Sequence, residues 1–186
     1  GSNIALGNSA MYYTSTGNYN IAIGVNTLRS NGAGSNNTAV GFEALLNASA
    51  SNNSAFGYEA LFNNTTGYNN TAMGNGTLLN TSTGADNVGI GGSAGLYNTT
   101  GQQNVWVAVG AGPTASFPNL TNSTAIGYGA SNTASNQVVL GNSFVTQIGG
   151  YANWTRYPSD VRFKKNVKEN VPGLEFVMLL RPITYN

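Results

Sequence analysis

A glycine returns along this chain at an almost constant interval. It closes a short motif at Gly7, Gly24, Gly41, Gly57, Gly74, Gly91, Gly110, Gly127 and Gly141, with spacings of 17, 17, 16, 17, 17, 19, 17 and 14. A unit this short has too few apolar side chains to close a core of its own, so it must stack on its neighbours. That requirement excludes an ordinary globular domain for most of the chain.

The columns of the repeat specify what stacks. Before each glycine stands a large apolar residue: Leu6, Ile23, Val40, Phe56, Met73, Ile90, Val109, Ile126, Leu140. Before that comes a tiny one: Ala5, Ala22, Ala39, Ala55, Ala72, Gly89, Ala108, Ala125, with Val139 the exception. One further back lie Ile4, Ile21, Thr38, Ser54, Thr71, Val88, Val107, Thr124 and Val138. This alternation has the period of two that marks a short strand. A second apolar pair follows the glycine, as in Ala44-Leu45 and Ala60-Leu61, and then Asn, Ser, Thr and Gly of the kind that form turns. The expected unit is strand, glycine corner, short strand, polar turn. The expected fold is all-β, a parallel β-solenoid (β-roll) of about nine coils, one repeat per coil and on the order of 40 Å long.

Charge fits that reading. Only 7% of residues are charged, against roughly 25% in ordinary soluble domains. In a stack locked in register each residue lies over its counterpart, so a charged column would repel itself along the rod. Uncharged Asn, Thr and Ser form hydrogen-bonded ladders instead, and the chain has 29 Asn to supply them. Residues 1–155 contain just Arg29, Glu43, Glu59 and Asp86, whereas the rest of the chain is rich in Lys and Arg. The organisation expected is a repeat array over 1–149, a neck or linker over 150–158 and a partly helical C-terminal segment over 159–186.

Several function classes are excluded. A net charge of +1 with no basic stripe leaves no footprint for nucleic acid. No apolar run approaches the ~20 residues that span a bilayer. With neither Cys nor His, thiol chemistry, most transition-metal sites and a Ser-His-Asp triad are absent, and the sequence calls for no metal and no cofactor. Glu43 and Glu59 share a column in adjacent coils, about 5 Å apart, a separation used by retaining glycosidases. They read better as an outward, hydrated pair. Exposed tyrosines beside asparagines suit sugar contact, and Tyr58, Tyr68, Tyr97 and Tyr128 are the candidate surface for it, the competing role being to cover coil edges and turns. The column of alanines admits two readings: a flat face on which other chains pack, most simply three, or the filling of a narrow coil interior.

The array resembles the head repeats of trimeric autotransporter adhesins, which are left-handed parallel β-rolls. The segment carrying that resemblance is NSTAIGYGASNTASNQVVLGNS, Asn122 to Ser143. The 17-residue units, with longer turns, are similar to the Asn/Thr/Gly-rich repeats of bacteriophage tail fibres. The segment SDVRFKKNVKENVPGLEFVMLLRPITYN, Ser159 to Asn186, resembles the start of the intramolecular chaperone auto-processing domain of phage tailspikes and tail fibres. In that family a trimeric C-terminal domain guides folding of the fibre and then cuts itself off with a serine–lysine dyad. The resemblance implies Ser159 as nucleophile and Lys164 as its base, with cleavage between Ser159 and Asp160. A partly desolvated lysine can lose its proton near neutral pH and activate a hydroxyl without histidine.

The resulting expectation is a homotrimeric, adhesive fibre segment of a virion tail fibre or a cell surface, binding surface polysaccharide and other fibre subunits, with self-cleavage as its only enzymatic chemistry. The alternatives are an extracellular filament or surface-adhesin subunit, or a maturation segment that cleaves after Ser159. Intact-mass measurement of the full-length gene product tests the last: the wild type should yield a fragment ending at Ser159, and Ser159→Ala should not.

Overall fold

The computed structural model describes residues 1–149. Nine three-residue strands form one parallel sheet: β1 Ile4–Leu6, β2 Ile21–Ile23, β3 Thr38–Val40, β4 Ser54–Phe56, β5 Thr71–Met73, β6 Val88–Ile90, β7 Val105–Val107, β9 Thr124–Ile126 and β11 Val138–Leu140. Two-residue strands β8 Gly112–Pro113 and β10 Ser131–Asn132 pair in a second sheet. The order β1-β2-β3-β4-β5-β6-β7-β9-β11 is that of a parallel β-solenoid of about eight turns. The expected columns stack in register: Ala22 over Ala39 over Ala55 over Ala72, and Ile23 over Val40 over Phe56 over Met73.

An asparagine ladder fixes that register. The residue just before each of strands β2 to β7 is buried: Asn20, Asn37, Asn53, Asn70, Asn87 and Asn104. Its side-chain oxygen accepts the backbone N–H of the same column one coil on, at 2.9 Å from Asn37 to Asn20 and 3.0 Å from Asn70 to Asn53. Its amide nitrogen donates to a turn carbonyl, as from Asn20 to Gly34 at 2.9 Å and from Asn70 to Gly84 at 2.8 Å. Asn is the shortest side chain carrying both a donor and an acceptor, so one residue serves strand and turn together. At coil 8 a serine takes the place, and the Ser123 N–H reaches the Asn104 oxygen at 2.8 Å.

Ala22, Ala39, Ala55, Ala72 and Ala125 of the alanine column are fully buried within the single chain, in one cluster with a column of Leu28, Leu45, Leu61 and Leu78 across the coil. Of the two readings of those alanines, filling of the interior is the one the structure bears out. The large apolar residue of each strand points the other way, outward. Met73 is 45% and Ile90 40% exposed.

Two expectations need correction. The apolar pair after each corner is not a strand in most coils. It is a turn in which Glu43, Leu45, Glu59 and Leu61 have φ of 55°, 51°, 53° and 53°. A left-handed leucine costs roughly 1–2 kcal/mol, which complete burial of its side chain, worth about 1.5–3 kcal/mol, offsets. Its N–H still bonds to the next coil, Leu45 to Ala60 and Leu61 to Thr77 at 3.0 Å each.

The second correction concerns coil 7. Val107-Ala108-Val109-Gly110 imitates the strand-and-corner motif, yet the strand is Val105–Val107, and Ala108, with φ 118°, takes the corner. The ladder decides this, because it needs Asn104 immediately before the strand. Trp106 therefore lands in the alanine column, buried. Room comes from glycine on the opposite wall, where a leucine would otherwise stand: a Cβ on Gly95 would collide with the Trp106 ring and with Leu78. The indole N–H donates to Asn132 at 3.1 Å.

The corner glycines are set by the stacking distance. Gly57 has φ 141°, and a Cβ there would drive into the Gly74 carbonyl oxygen of the next coil. Gly92 has no such neighbour, its nearest atom being the Asn75 oxygen at 3.9 Å. Gly57→Ala should therefore lower unfolding free energy by about 2–4 kcal/mol, while Gly92→Ala stays within about 0.5 kcal/mol of wild type. Urea denaturation of both variants checks the contrast.

Candidate functional site

The four tyrosines singled out from the sequence are all exposed, but they do not form one surface. Tyr58 and Tyr128 each follow a corner residue and share a column, four coils apart, about 19 Å by strand spacing. Tyr68 precedes the left-handed Asn69 on another side of the coil, its carbonyl taking the Asp86 N–H at 3.0 Å. Tyr97 lies beyond the leucine column in coil 6 and lines a cleft. Ser159 and Lys164 lie outside the described residues.

Tyr58 is engaged by its neighbours. Its ring stacks on Phe42 in the coil before, with centroids 5.3 Å apart and planes 10° from parallel. The Glu59 carboxylate, as an acceptor for its hydroxyl and as a negative charge, raises the phenol pKa above its ordinary 10.0, and the charge of Glu43 adds to the effect. Glu43 in turn accepts from Asn26 Nδ2 at 3.1 Å. One carboxylate of the suspected pair is thus already used inside the protein, and Glu43 and Glu59 carry left-handed backbone at a turn. Among the described residues no three His, Cys, Asp or Glu side chains gather into a metal-binding group. Phe42 and Tyr58 are adjacent members of the column after the corner, one position from the glutamate column, so the register of the repeat carries the signal for their stack.

The cleft at Tyr97 has a volume of about 420 Å³ and runs across coils 6 to 8. Ser93, Leu96 and Tyr97 of coil 6, Pro113 and Thr114 of coil 7 and Ser131 of coil 8 line it. It arises where the array loses uniformity. Coil 7 spans 19 residues from Val105 to Thr124 and closes a turn with Phe117 N–H to Thr114 carbonyl at 2.9 Å. Coil 8 spans only 14, from Thr124 to Val138, so the wall above is low. Nothing in composition could announce this cleft, since it depends on the displaced register of coil 7.

The outward face of the main sheet is the other candidate surface. Its columns hold Leu6, Ile23, Val40, Phe56, Met73, Ile90, Val107, Ile126 and Leu140 beside the β-branched row from Ile4 to Val138, without a charged residue. The stripe measures roughly 38 Å by 10 Å, at the scale where exposed apolar patches mark contact with another molecule. Among the described residues no helix is long and apolar enough to cross a membrane.

The fold thus defines the class, a parallel β-solenoid repeat protein. Comparison with protein-family models, with curated proteins and with solved structures finds no match to this chain.

Replacing the carboxylate next to Tyr58 isolates its influence. Glu59→Gln should shift the phenol titration downward, toward the ordinary value, because the acceptor that holds the proton in place loses its charge. Ultraviolet difference titration of wild type against the variant, with Tyr58→Phe to assign the signal, measures the direction.

Proposed function

We propose that this chain is a structural and adhesive fibre segment, assembled as a homotrimer and displayed outside a cell, most simply within a phage tail fibre that attaches to host surface polysaccharide. The observation that carries the proposal is the uncovered apolar stripe on the outer face of the sheet. Each half-covered side chain has roughly 1 kcal/mol still to gain from complete burial. Nine of them supply on the order of 9 kcal/mol, comparable to the 4–15 kcal/mol lost when free chains associate. A short stretch of stripe would not suffice, so the whole length engages. Copies of the same chain fit best, because their rows share one spacing and interdigitate coil by coil, and no charge on either side opposes contact.

The mechanism is mechanical. Backbone and Asn ladders make a stiff rod, and three joined rods present each surface feature three times, so that weak contacts add through avidity. The outer residues Met73 and Ile90 offer the test. Wild type should sediment as three chains at micromolar concentration, and the double variant Met73→Glu, Ile90→Glu as one chain with its β circular dichroism retained. A wild type that sediments as a single chain would end the proposal.

A further inference from the structure

We infer that the cleft beside Tyr97 is a carbohydrate subsite that takes a neutral pyranose residue. The inference rests on the adhesive reading above and gives it a place on the rod.

The lining carries the argument. Half-buried Leu96 and the exposed ring of Tyr97 supply apolar area suited to the C–H face of a sugar ring, with buried Pro113 as the floor beneath them. Ser93, Thr114 and Ser131 also line it; the hydroxyls of Ser93 and Thr114 can donate or accept as a sugar hydroxyl requires, and that of Ser131, which donates to the Gly129 carbonyl at 3.2 Å, can still accept. No carboxylate, ammonium or guanidinium lines the cleft, so neither a uronic acid nor an amino sugar finds a counter-charge. A volume of about 420 Å³ is within the roughly 300–1,000 Å³ usual for small-molecule sites.

The walls are rigid. Pro113 lies in β8, which pairs with β10 through Gly112 and Ser131. Behind it the Gly112 N–H donates to Ala130 at 2.9 Å, and the Gly95 N–H to Ala111 at 2.8 Å. The buried Trp106 occupies the coil behind them. A preformed cleft spares a ligand the cost of ordering loops. The other tyrosines are less suited. Tyr58 has one face stacked on Phe42 and the Glu59 carboxylate beside its hydroxyl, and Tyr68 and Tyr128 are not part of the cleft at Tyr97.

Saturation-transfer NMR on the assembled protein, with dextran, mannan and galactan as neutral probes and polygalacturonate as the anionic one, tests the assignment. At least one neutral polymer should give a signal that falls about ten-fold or more in Tyr97→Ala. Ala115→Trp, at the exposed rim, should weaken it likewise by filling the cleft, and Tyr128→Ala should leave it unchanged. Circular dichroism confirms that each variant folds, and Tyr97→Ala alone decides if the tryptophan variant does not. A neutral polymer bound equally by wild type and Tyr97→Ala overturns the subsite while leaving an adhesive rod. Binding of polygalacturonate alone, or of none of the four polymers, also overturns it. Adhesion of the wild-type trimer to cells is scored separately, so loss of the subsite and loss of the adhesive reading give different results.

Discussion

The buried asparagine ladder is the interaction on which the rest of the structure depends. Each coil is so thin that its interior accepts only a few small side chains and one leucine, as with Asn53, Ala55, Ala60, Leu61 and Asn64. Within that space an unpaired polar group would cost about 1–3 kcal/mol, and the ladder leaves almost none along the strand side. Asn37 illustrates the economy: its backbone N–H goes to Asn20, its side-chain oxygen receives Asn53, and its amide nitrogen reaches Ala50 and Asn31. Every amide is both a rung and a tie between strand and turn, so one coil cannot slip against the next without breaking three bonds.

Thinness has a second consequence, which is that the usual distribution of side chains is reversed. With the inside filled by Ala22, Ala39, Ala55 and Ala72, the bulky members of the strands, such as Phe56 and Met73, have only the outer face left. A row of that kind is a liability in an isolated chain and an asset in an assembly. The absence of charge on the same face follows from register, because an ionised residue repeated along a column repels itself. The stiffness of the rod and its readiness to associate therefore have one physical origin.

Coils 6 to 8 show how much irregularity the stack tolerates. Trp106 is far larger than the alanine it replaces, and the opposite wall retreats to Gly95 and Gly112 so that the summed volume fits. The departure is confined to three coils because the ladder continues through Asn104 to Ser123. It is also where concavity appears. A perfectly regular rod offers ridges and flat faces, and a cleft needs neighbouring coils of unequal length.

Much of this was legible in the sequence. Glycine spacing determined the number of coils, alternation determined the strands, and the scarcity of charge against the wealth of asparagine pointed to ladders, because each follows from stacking identical units at a fixed distance. What tertiary structure alone decided was direction and register. The alanines of a two-period strand could face either way until the leucine column stood opposite them. Val107-Ala108-Val109-Gly110 looked like one more motif until the demand for an amide before the strand moved it by two residues. The left-handed turn at Glu43 to Leu45 is not legible in the sequence for a related reason: a short apolar pair reads as a strand, and only burial of the leucine makes the strained backbone acceptable. Local pattern specifies which residues recur, whereas the competition for a very small interior determines where each one points.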